Sequence, residues 1–205
     1  MKPITTAAII GGGIAGSAAA LALDKAGITP TVYEAYPHTA DGVGVFLTLA
    51  TNGIDALRVL GADGPVLERG FPTPAITLRS GTGKRLGATP TGHPLPDGTV
   101  SRTLTRAELY RTLHDQVRAR GIGIEHGKRL VRAVDTGEEV RAEFADGTTV
   151  TADVLIGCDG VHSTVRRLID PHAAAPRYEG LLTTGGYTTG VAVDSPTGSY
   201  EMIFG

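Results

Sequence analysis

Three glycines near the start of the chain have the spacing of a phosphate-binding loop. Residues 9–16 read IIGGGIAG, so Gly11, Gly13 and Gly16 form a G-x-G-x-x-G pattern. In such a pattern the first glycine permits a tight turn and the second lets a phosphate oxygen approach the backbone. The third allows the following helix to pack closely on the strand. The chemistry predicted here is the binding of a pyrophosphate by backbone N–H groups.

The residues on either side of the glycines predict a strand and a helix. Residues 7–10 are apolar, as expected of a strand that is buried on both faces of a parallel sheet. Residues 14–25, rich in Ala and Leu, predict a helix whose positive end faces the anion. Ile14 and Ala15 would offer free N–H groups in its first turn.

An acidic residue follows at the distance expected of a ribose-binding group. Residues 31–33 predict a second strand, and Glu34 ends it 23 positions after Gly11. A carboxylate there can accept both ribose hydroxyls of an adenosine and would repel a 2′-phosphate. A glycine-rich turn of another α/β unit is the alternative, but strand, helix and acid together predict a dinucleotide site.

A second stretch, residues 153–166, reads DVLIGCDGVHSTVR. Residues 154–156 predict a buried strand, and Asp159 lies just past its carboxyl end, where open α/β sheets bind ligands. We predict that Asp159 contacts a cofactor, the alternative being that it caps the helix that starts near Val161. For Arg166, a cofactor contact and a structural salt bridge remain equally open.

The rest of the chain predicts further elements in alternation. Thr105, with Glu108 three positions later, predicts the N-terminal cap of a helix. The other predicted elements are a hairpin over residues 75–87, a short helix after a turn at residues 42–47, a strand at 122–124 that rejoins the parallel sheet, three antiparallel strands at 128–135, 138–145 and 148–151, and strands at 180–192 and 199–204.

With these motifs the chain resembles the flavin-dependent aromatic hydroxylases, the monooxygenase family typified by p-hydroxybenzoate hydroxylase. The resemblance extends over residues 5–205 and is strongest to salicylate hydroxylase-like and tetracycline-inactivating enzymes. It implies an α/β fold with a Rossmann-like FAD-binding βαβ unit, a three-stranded β-meander and the start of a mixed substrate-domain sheet. Residues 1–70 and 100–178 would form a discontinuous FAD-binding domain, and residues 71–99 and 179–205 part of a substrate-binding domain.

The resemblance also implies which residues hold FAD. The glycine loop and its helix would bind the pyrophosphate, Glu34 the adenosine ribose, and the backbone of Leu130 the adenine. Gly44 and Val45 would lie along the isoalloxazine ring, and Arg106 would reach the phosphates. The implied cofactor-binding residues are Gly11, Gly13, Ile14, Ala15, Gly16, Glu34, Gly44, Val45, Arg106, Leu130, Asp159, Gly160 and Arg166.

The activity that the resemblance implies is a monooxygenation with NADPH or NADH as reductant. Reduced FAD would add O2 as a C4a-hydroperoxide and pass one oxygen atom to a small aromatic substrate. The sequence names no catalytic base, and it contains no metal-ligand cluster. The residues considered for the substrate side, none of which is assigned a catalytic role, are Arg102, His93, Tyr187 and Thr183.

Two other functions stay open at this stage. One is a different FAD-dependent oxidoreductase of the same fold, such as a halogenase, an epoxidase or a reductase. The other is a nucleotide-binding fragment without catalysis. The family's second Gly-Asp element does not occur before Gly205, so we expect residues 1–205 to be the N-terminal portion of a longer enzyme. We expect this portion to be inactive by itself, to bind FAD weakly if at all, and to form a homodimer through an exposed strand edge.

Composition excludes several other classes. The net charge of −2 leaves no basic stripe for nucleic acid, and no uninterrupted apolar run is long enough for a membrane span. Lys2 before an apolar run resembles a signal peptide, but the three consecutive glycines fit a strand–turn–helix instead. The single cysteine, Cys158, predicts a cytoplasmic protein and reads as a small apolar filler rather than a reactive thiol.

Overall fold

The computed structural model describes residues 2–38, 44–182, 184–192, 195–196 and 198–205. The chain divides into two compact units. Unit 1 comprises Met1–Asp41 and Tyr110–Leu182, and unit 2 comprises Gly42–Leu109 and Thr183–Gly205.

The described residues form strands and helices in mixed order along the chain. They are β1 (Thr6–Ile10), α1 (Ile14–Lys25), β2 (Thr29–Glu34), β3 (Phe46–Leu49), α2 (Thr51–Val59), α3 (Asp63–Arg69), β4 (Phe71–Pro72), β5 (Ala75–Ser80), β6 (Arg85–Pro90), β7 (Arg102–Thr105), α4 (Arg106–Ala119), β8 (Gly123–His126), β9 (Leu130–Asp135), β10 (Val140–Phe144), β11 (Thr149–Ala152), β12 (Val154–Gly157), α5 (Thr164–Ile169) and β13 (Glu201–Phe204).

Unit 1 contains a parallel sheet with the strand order β12-β1-β2-β8. All three strand pairs are parallel, so the carboxyl ends of the four strands lie at one edge. In the register, Ile10 at the end of β1 faces Gly157 on one side and Tyr33 on the other. This topology confirms the predicted α/β fold and the return of residues 122–124 to the sheet.

A three-stranded antiparallel meander of order β11-β10-β9 completes unit 1, as the sequence predicts. Its inner face shares a core with the parallel sheet, in which the rings of Tyr33 and Phe144 lie 4.9 Å apart. The buried members of this core are Ala8, Ile10, Tyr33, Leu130, Ala142, Phe144, Ala152 and Val165. The meander therefore covers the sheet by apolar contact, which stabilises both layers.

Asp153 fixes the start of β1 against the start of β12. Its carboxylate accepts backbone N–H bonds from Thr5 at 2.8 Å and Thr6 at 2.9 Å, and a bond from the Lys2 ammonium at 2.7 Å. These donors hold the pKa of Asp153 far below its ordinary value, with the bond from Lys2 as the largest cause. These bonds at the starts of β1 and β12 stabilise the strand register that brings the glycine loop to the end of β12.

Unit 2 contains two small sheets and two short helices. One sheet is antiparallel with the order β3-β7-β4, and the other has the order β13-β5-β6. In the second sheet β13 is parallel to β5 while β5 and β6 form the predicted hairpin. It is therefore mixed, as expected for the start of a substrate-domain sheet. The predicted cap of α4 is also present, because Thr105 Oγ1 and Glu108 exchange hydrogen bonds.

Two sequence predictions differ from the structure, and one helix of the structure was not predicted. The described part of residues 180–192 contains no strand, and Leu181 and Leu182 are 86% and 83% exposed, so no neighbouring strand pairs with this segment. Residues 46–49 form β3, not part of a turn, since they pair with β7; residues 42–43 lie outside the described residues. Helix α3 was not predicted at all.

The two compact units do not follow the predicted domain boundaries. Residues 42–70 and 100–109 fall in unit 2, because β3 and β4 both pair with β7. The functional division into an FAD-binding and a substrate-binding domain stays a prediction. Within the part of the chain that the structure describes, none of the helices has the length and apolar character needed to cross a membrane.

Candidate functional site

The glycine loop between β1 and α1 is closed by backbone packing that only glycine permits. Gly11 has a φ of +105°, and a Cβ there would lie 2.4 Å from the carbonyl oxygen of Cys158. A Cβ on Gly16 would lie 1.9 Å from the carbonyl oxygen of Gly11. The first glycine therefore allows the turn beside β12, and the third allows α1 to lie close to that turn.

The start of α1 is open toward an anion. Gly13 occupies the cap position with φ −71° and ψ −170°, no side chain caps the helix, and its first turn has no acidic residue. A Cβ on Gly13 would meet no atom within 4 Å. Free N–H groups, the positive helix end and open space thus coincide where the sequence predicts a pyrophosphate.

Glu34 lies beside this loop at the carboxyl end of β2. Its Oε2 accepts a hydrogen bond from the Gly12 N–H at 2.7 Å, and its Oε1 accepts one from the Tyr36 N–H at 2.9 Å. A carboxylate has about four acceptor positions, so two backbone bonds leave capacity for hydroxyl donors. The predicted acid is therefore held in a fixed orientation at the loop.

Asp159 lies at the end of β12, next to the same loop. The Gly11 Cβ position is 2.9 Å from the Asp159 backbone nitrogen, and the Cys158 N–H donates to the Ile10 carbonyl at 2.7 Å. The Asp159 carboxylate accepts bonds from the Ser163 hydroxyl and from the N–H groups of Thr164 and Val165, so it caps the first turn of α5 from outside the helix. The N-cap position itself is held by Ser163, whose side chain accepts a bond from the Arg166 N–H. A cofactor contact of Asp159 stays a prediction.

Gly160 lies in the turn that leads into α5, and Arg166 lies on that helix. Gly160 has a φ of +79° and accepts a bond from the Ser163 N–H at 3.1 Å, which makes the turn into α5. The Nε of Arg166 is buried and has no hydrogen-bond partner among the described residues. A buried guanidinium nitrogen without an acceptor is costly, and the predicted cofactor contact of Arg166 stays a prediction.

Leu130, at the start of β9, has a side chain that is only 5% exposed within the core of unit 1. The structure therefore assigns its side chain to packing. The predicted contact of its backbone with an adenine is not tested by this packing and stays a prediction.

Three further predicted residues meet in unit 2. Gly44 has a φ of +86°, and a Cβ there would lie 2.9 Å from Cδ of Arg106. The Arg106 N–H donates to the Val45 carbonyl at 3.1 Å. Gly44, Val45 and Arg106 are thus brought together within this unit, with the aliphatic part of the arginine on the glycine.

The residues considered for the substrate side are mostly occupied elsewhere or exposed. Arg102 Nη1 donates to the Gly70 carbonyl at 3.0 Å, and the Tyr187 hydroxyl donates to the Val45 carbonyl at 3.4 Å. His93 lies in an exposed loop, and Thr183 lies outside the described residues. None of these contacts gives a reason to assign a catalytic role.

A cavity of about 390 Å³ lies in unit 2, and four of its ten lining residues are aromatic. It is lined by Phe46, Arg69, Phe71, Thr103, Leu104, Thr105, Glu108, Tyr187, Ser199 and Tyr200. Apolar cavities of this size with a few polar groups are typical sites for small molecules.

No group of three His, Cys, Asp or Glu side chains suited to a metal ion occurs among the described residues.

The sequence reasoning missed His114. This side chain on α4 is only 2% exposed, and its Nε2 lies 2.5 Å from the Gly12 carbonyl oxygen. Burial lowers the pKa of His114 below its ordinary value. Its position four residues after Tyr110, on the buried face of the helix, was the signal available in the sequence.

Cys158 is half-buried and unpaired. Burial raises the pKa of its thiol, and the Asp159 carboxylate raises it further. A raised pKa reduces the thiolate fraction, so the group behaves as packing rather than as a nucleophile.

Comparison with known proteins identifies relatives over most of the chain. A family described as "FAD binding domain" matches residues 4–183. A 3-amino-4-hydroxybenzoate 2-monooxygenase of Streptomyces cremeus is 34% identical over 200 residues, which cover 96% of this chain and 50% of that protein. An FAD-dependent urate hydroxylase of Mycolicibacterium vanbaalenii is 33% identical over 183 residues, covering 87% and 45%. The chain thus spans about half the length of these curated relatives.

Solved structures show the same likeness. The tetrameric form of 2-methyl-3-hydroxypyridine-5-carboxylic acid oxygenase has a TM-score of 0.70 at 29% identity, over 82% of this chain and 43% of that one. Klebsiella pneumoniae HpxO complexed with FAD and uric acid has a TM-score of 0.68 at 29% identity, over 80% and 41%. The similarity therefore covers both sequence and fold.

Proposed function

Since the chain belongs to the FAD binding domain family, we propose that its glycine loop binds the adenosine diphosphate part of FAD. The observation that carries this proposal is the open start of α1: a helix of 12 residues without a capping side chain, behind a glycine whose Cβ position is empty. Two phosphates placed there would accept the free N–H groups of the first turn.

Glu34 would orient the adenosine ribose. Its two backbone hydrogen bonds, to Gly12 and Tyr36, hold the carboxylate at the carboxyl end of β2 without a counter-charge from the loop. The remaining lone pairs would accept the ribose hydroxyls, while a 2′-phosphate would meet like charge. The site thus favours an unphosphorylated adenosine, as in FAD.

Asp159, Gly160 and Arg166 would bound the pyrophosphate on the side of β12. The turn at Gly160 and the bonds to the Asp159 carboxylate place the start of α5 shortly after the end of β12. The unpartnered Nε of Arg166 supplies the donor that such an anion needs. Asp159 would act chiefly by holding this turn, because its carboxylate is already engaged by three donors.

In unit 2, the turn at Gly44 and Val45 would lie along the isoalloxazine ring, and Arg106 would reach the phosphates. The positive φ of Gly44 and the absence of a Cβ beside the Arg106 side chain support this assignment, because they let the backbone turn come close to a cation. Leu130 would contact the adenine through its backbone.

For the whole protein we propose an FAD-dependent monooxygenase that uses NADPH or NADH and O2 on a small aromatic substrate. Bound FAD would supply the redox chemistry, and this chain's residues would bind and orient it. The relatives named as aminohydroxybenzoate and urate hydroxylases support a small aromatic substrate. A cytoplasmic location and a homodimer remain parts of the same proposal, as does the division into FAD-binding and substrate-binding domains.

Displacement of FAD tests the proposed binding mode. Titration of the chain with FAD, followed by flavin fluorescence, should show binding that ADP reverses and that riboflavin does not, because the contacts lie on the adenosine diphosphate. Binding that riboflavin reverses and ADP leaves unchanged would overturn the proposal. In the whole protein, aromatic acids that stimulate both NAD(P)H oxidation and O2 uptake would support the monooxygenase assignment, whereas NAD(P)H oxidation without O2 uptake would contradict it.

A further inference from the structure

A buried histidine holds the middle glycine of the loop in unit 1. His114 Nε2 lies 2.5 Å from the Gly12 carbonyl oxygen, 102 positions away in sequence. The side chain is only 2% exposed, and its ring lies 4.1 Å from the ring of Tyr110. A polar group so deeply buried is maintained only where its hydrogen bond offsets its desolvation.

The Gly12 residue is held from both of its backbone groups. Its N–H donates to Glu34 Oε2 at 2.7 Å, and its carbonyl accepts from His114. Glu34 itself is held by the Tyr36 N–H at 2.9 Å. Elements α4 and β2 therefore fix the peptide groups on both sides of Gly12, between the close turn at Gly11 and the open cap at Gly13.

The hydrogen bond determines the tautomer of His114. A carbonyl oxygen only accepts, so Nε2 must carry the hydrogen. The other ring nitrogen, Nδ1, is buried and has no partner among the described residues. Protonation of Nδ1 would place an unpaired N–H and a charge in the interior, so the ring is neutral with hydrogen on Nε2.

The charged and titratable groups near this ring come from three elements. They are Tyr110 and Arg118 on α4 itself, His126 on β8 and Glu34 on β2, and the ring of His126 lies 6.5 Å from that of His114. Burial is the largest cause of the lowered pKa of His114. The hydrogen bond to Gly12 and the Glu34 charge oppose this lowering, and Arg118 and His126 add to it. Protonation at Nδ1 would leave the Nε2–H bond to Gly12 intact, so the pH dependence concerns the buried charge and not the loss of this contact.

We propose that His114 is a positioning residue for the dinucleotide, which holds the glycine loop in its ligand-binding shape through the Gly12 carbonyl. Three consecutive glycines have large conformational freedom when unrestrained, and ordering them on binding would weaken affinity. A hydrogen bond already present in the free protein reduces that cost. This inference rests on the proposed function, because it concerns the same loop and the same ligand.

Two substitutions of similar polarity separate positioning from general packing. His114→Gln places an amide nitrogen where Nε2 lies and keeps the donor to Gly12. His114→Asn is shorter and cannot reach that carbonyl. His172→Gln, at an exposed position, is the matched control.

The experiment measures the affinity of the full chain for FAD and for ADP by calorimetry, and the amide exchange of residues 11–16 without ligand. His114→Asn should bind both ligands about tenfold more weakly, because one net hydrogen bond contributes about that factor. Its loop amides should also exchange faster with solvent. His114→Gln and the control should stay within about threefold of the wild type. The nitrogen-15 spectrum of His114 should show a neutral ring protonated on Nε2 at neutral pH.

Equal losses in the Gln and Asn variants would overturn the inference, because they would indicate packing alone. Unchanged affinity and unchanged exchange in His114→Asn, or a ring protonated on Nδ1, would overturn it as well. If the wild type bound neither FAD nor ADP, the proposed function would fail. The role of His114 in shaping the loop would then be decided by the exchange rates and the tautomer.

Discussion

Gly11 lies directly against Cys158: a Cβ on this glycine would be 2.4 Å from the Cys158 carbonyl oxygen. Two motifs far apart in sequence are therefore in backbone contact at the carboxyl edge of one parallel sheet. The pairing of Ile10 with Gly157 places them there. The glycine loop and the turn that begins at Asp159 are therefore neighbours at the level of the backbone.

Replacement of Gly13 by alanine should separate binding from folding. Its φ of −71° suits alanine, and the added Cβ would meet no protein atom within 4 Å. It would, however, occupy the space proposed for the pyrophosphate. We expect the affinity for ADP and FAD to fall about tenfold or more, while the thermal unfolding midpoint changes by no more than about 3 °C. Gly64→Ala, which is equally open and lies in α3, should leave the affinity unchanged. An unaltered affinity in Gly13→Ala would place the phosphates elsewhere.

Gly16→Ala should have the opposite character and affect folding itself. Its Cβ would lie 1.9 Å from the Gly11 carbonyl oxygen, a backbone atom that cannot rotate away. Moving α1 off the sheet to relieve the clash should lower the free energy of unfolding by about 3 kcal/mol. Denaturant titration measures this quantity. A denaturant midpoint of Gly16→Ala equal to that of the wild type would show that α1 does not pack closely on the turn at Gly11.

Asp159→Ala should destabilise α5. The carboxylate accepts N–H bonds from Thr164 at 2.6 Å and Val165 at 3.1 Å, and an N-terminal cap contributes about 1–2 kcal/mol. The free energy of unfolding should fall by that amount. Asp115→Ala, at an exposed position of α4, should change it by less than about 0.5 kcal/mol. Equal effects of the two substitutions would remove the capping role of Asp159.

His114 should make folding stability depend on pH in the weakly acidic range. Its pKa in the folded chain is lowered, chiefly by burial, so below the ordinary histidine pKa of about 6.5 the unfolded chain binds more protons. The stabilisation is complete above that value and is lost as the pH falls toward the folded pKa. Denaturant midpoints between about pH 8 and about pH 5.5 should fall less steeply for His114→Gln than for the wild type. If the midpoints of the wild type and of His114→Gln changed with pH in the same way, the His114 ring would not be both neutral and buried.

The sequence predicted the elements whose signals are local. The glycine spacing, the apolar run before Gly11 and the box formed by Thr105 and Glu108 each carry their structural cause within a few residues. Their strand, turn and helix cap were therefore predictable. The parallel return of β8 followed from the α/β alternation.

The elements that depend on distant partners were not predictable in the same way. Strand β3 exists because it pairs with β7, and residues 180–192 have strand-like composition but no partner strand in their described part. The bond between His114 and Gly12 is of the same kind, because no local pattern connects a histidine on α4 with a glycine after β1. For Asp159 the position was predictable, and bonds to N–H groups of the following helix, which the structure shows, were the stated alternative to a cofactor contact.

An ADP titration of the nitrogen-15-labelled chain, followed by the backbone amide resonances, tests most directly whether the glycine loop and the Asp159 turn bind one ligand. The largest shifts are expected at residues 11–16, at Glu34 and Tyr36, and in the turn from Asp159 to Arg166. Shifts confined to other residues would contradict the conclusion that the glycine loop and the Asp159 turn form one dinucleotide site. The absence of any shift up to about 5 mM ADP, which corresponds to a binding free energy weaker than about −3 kcal/mol, would contradict it as well.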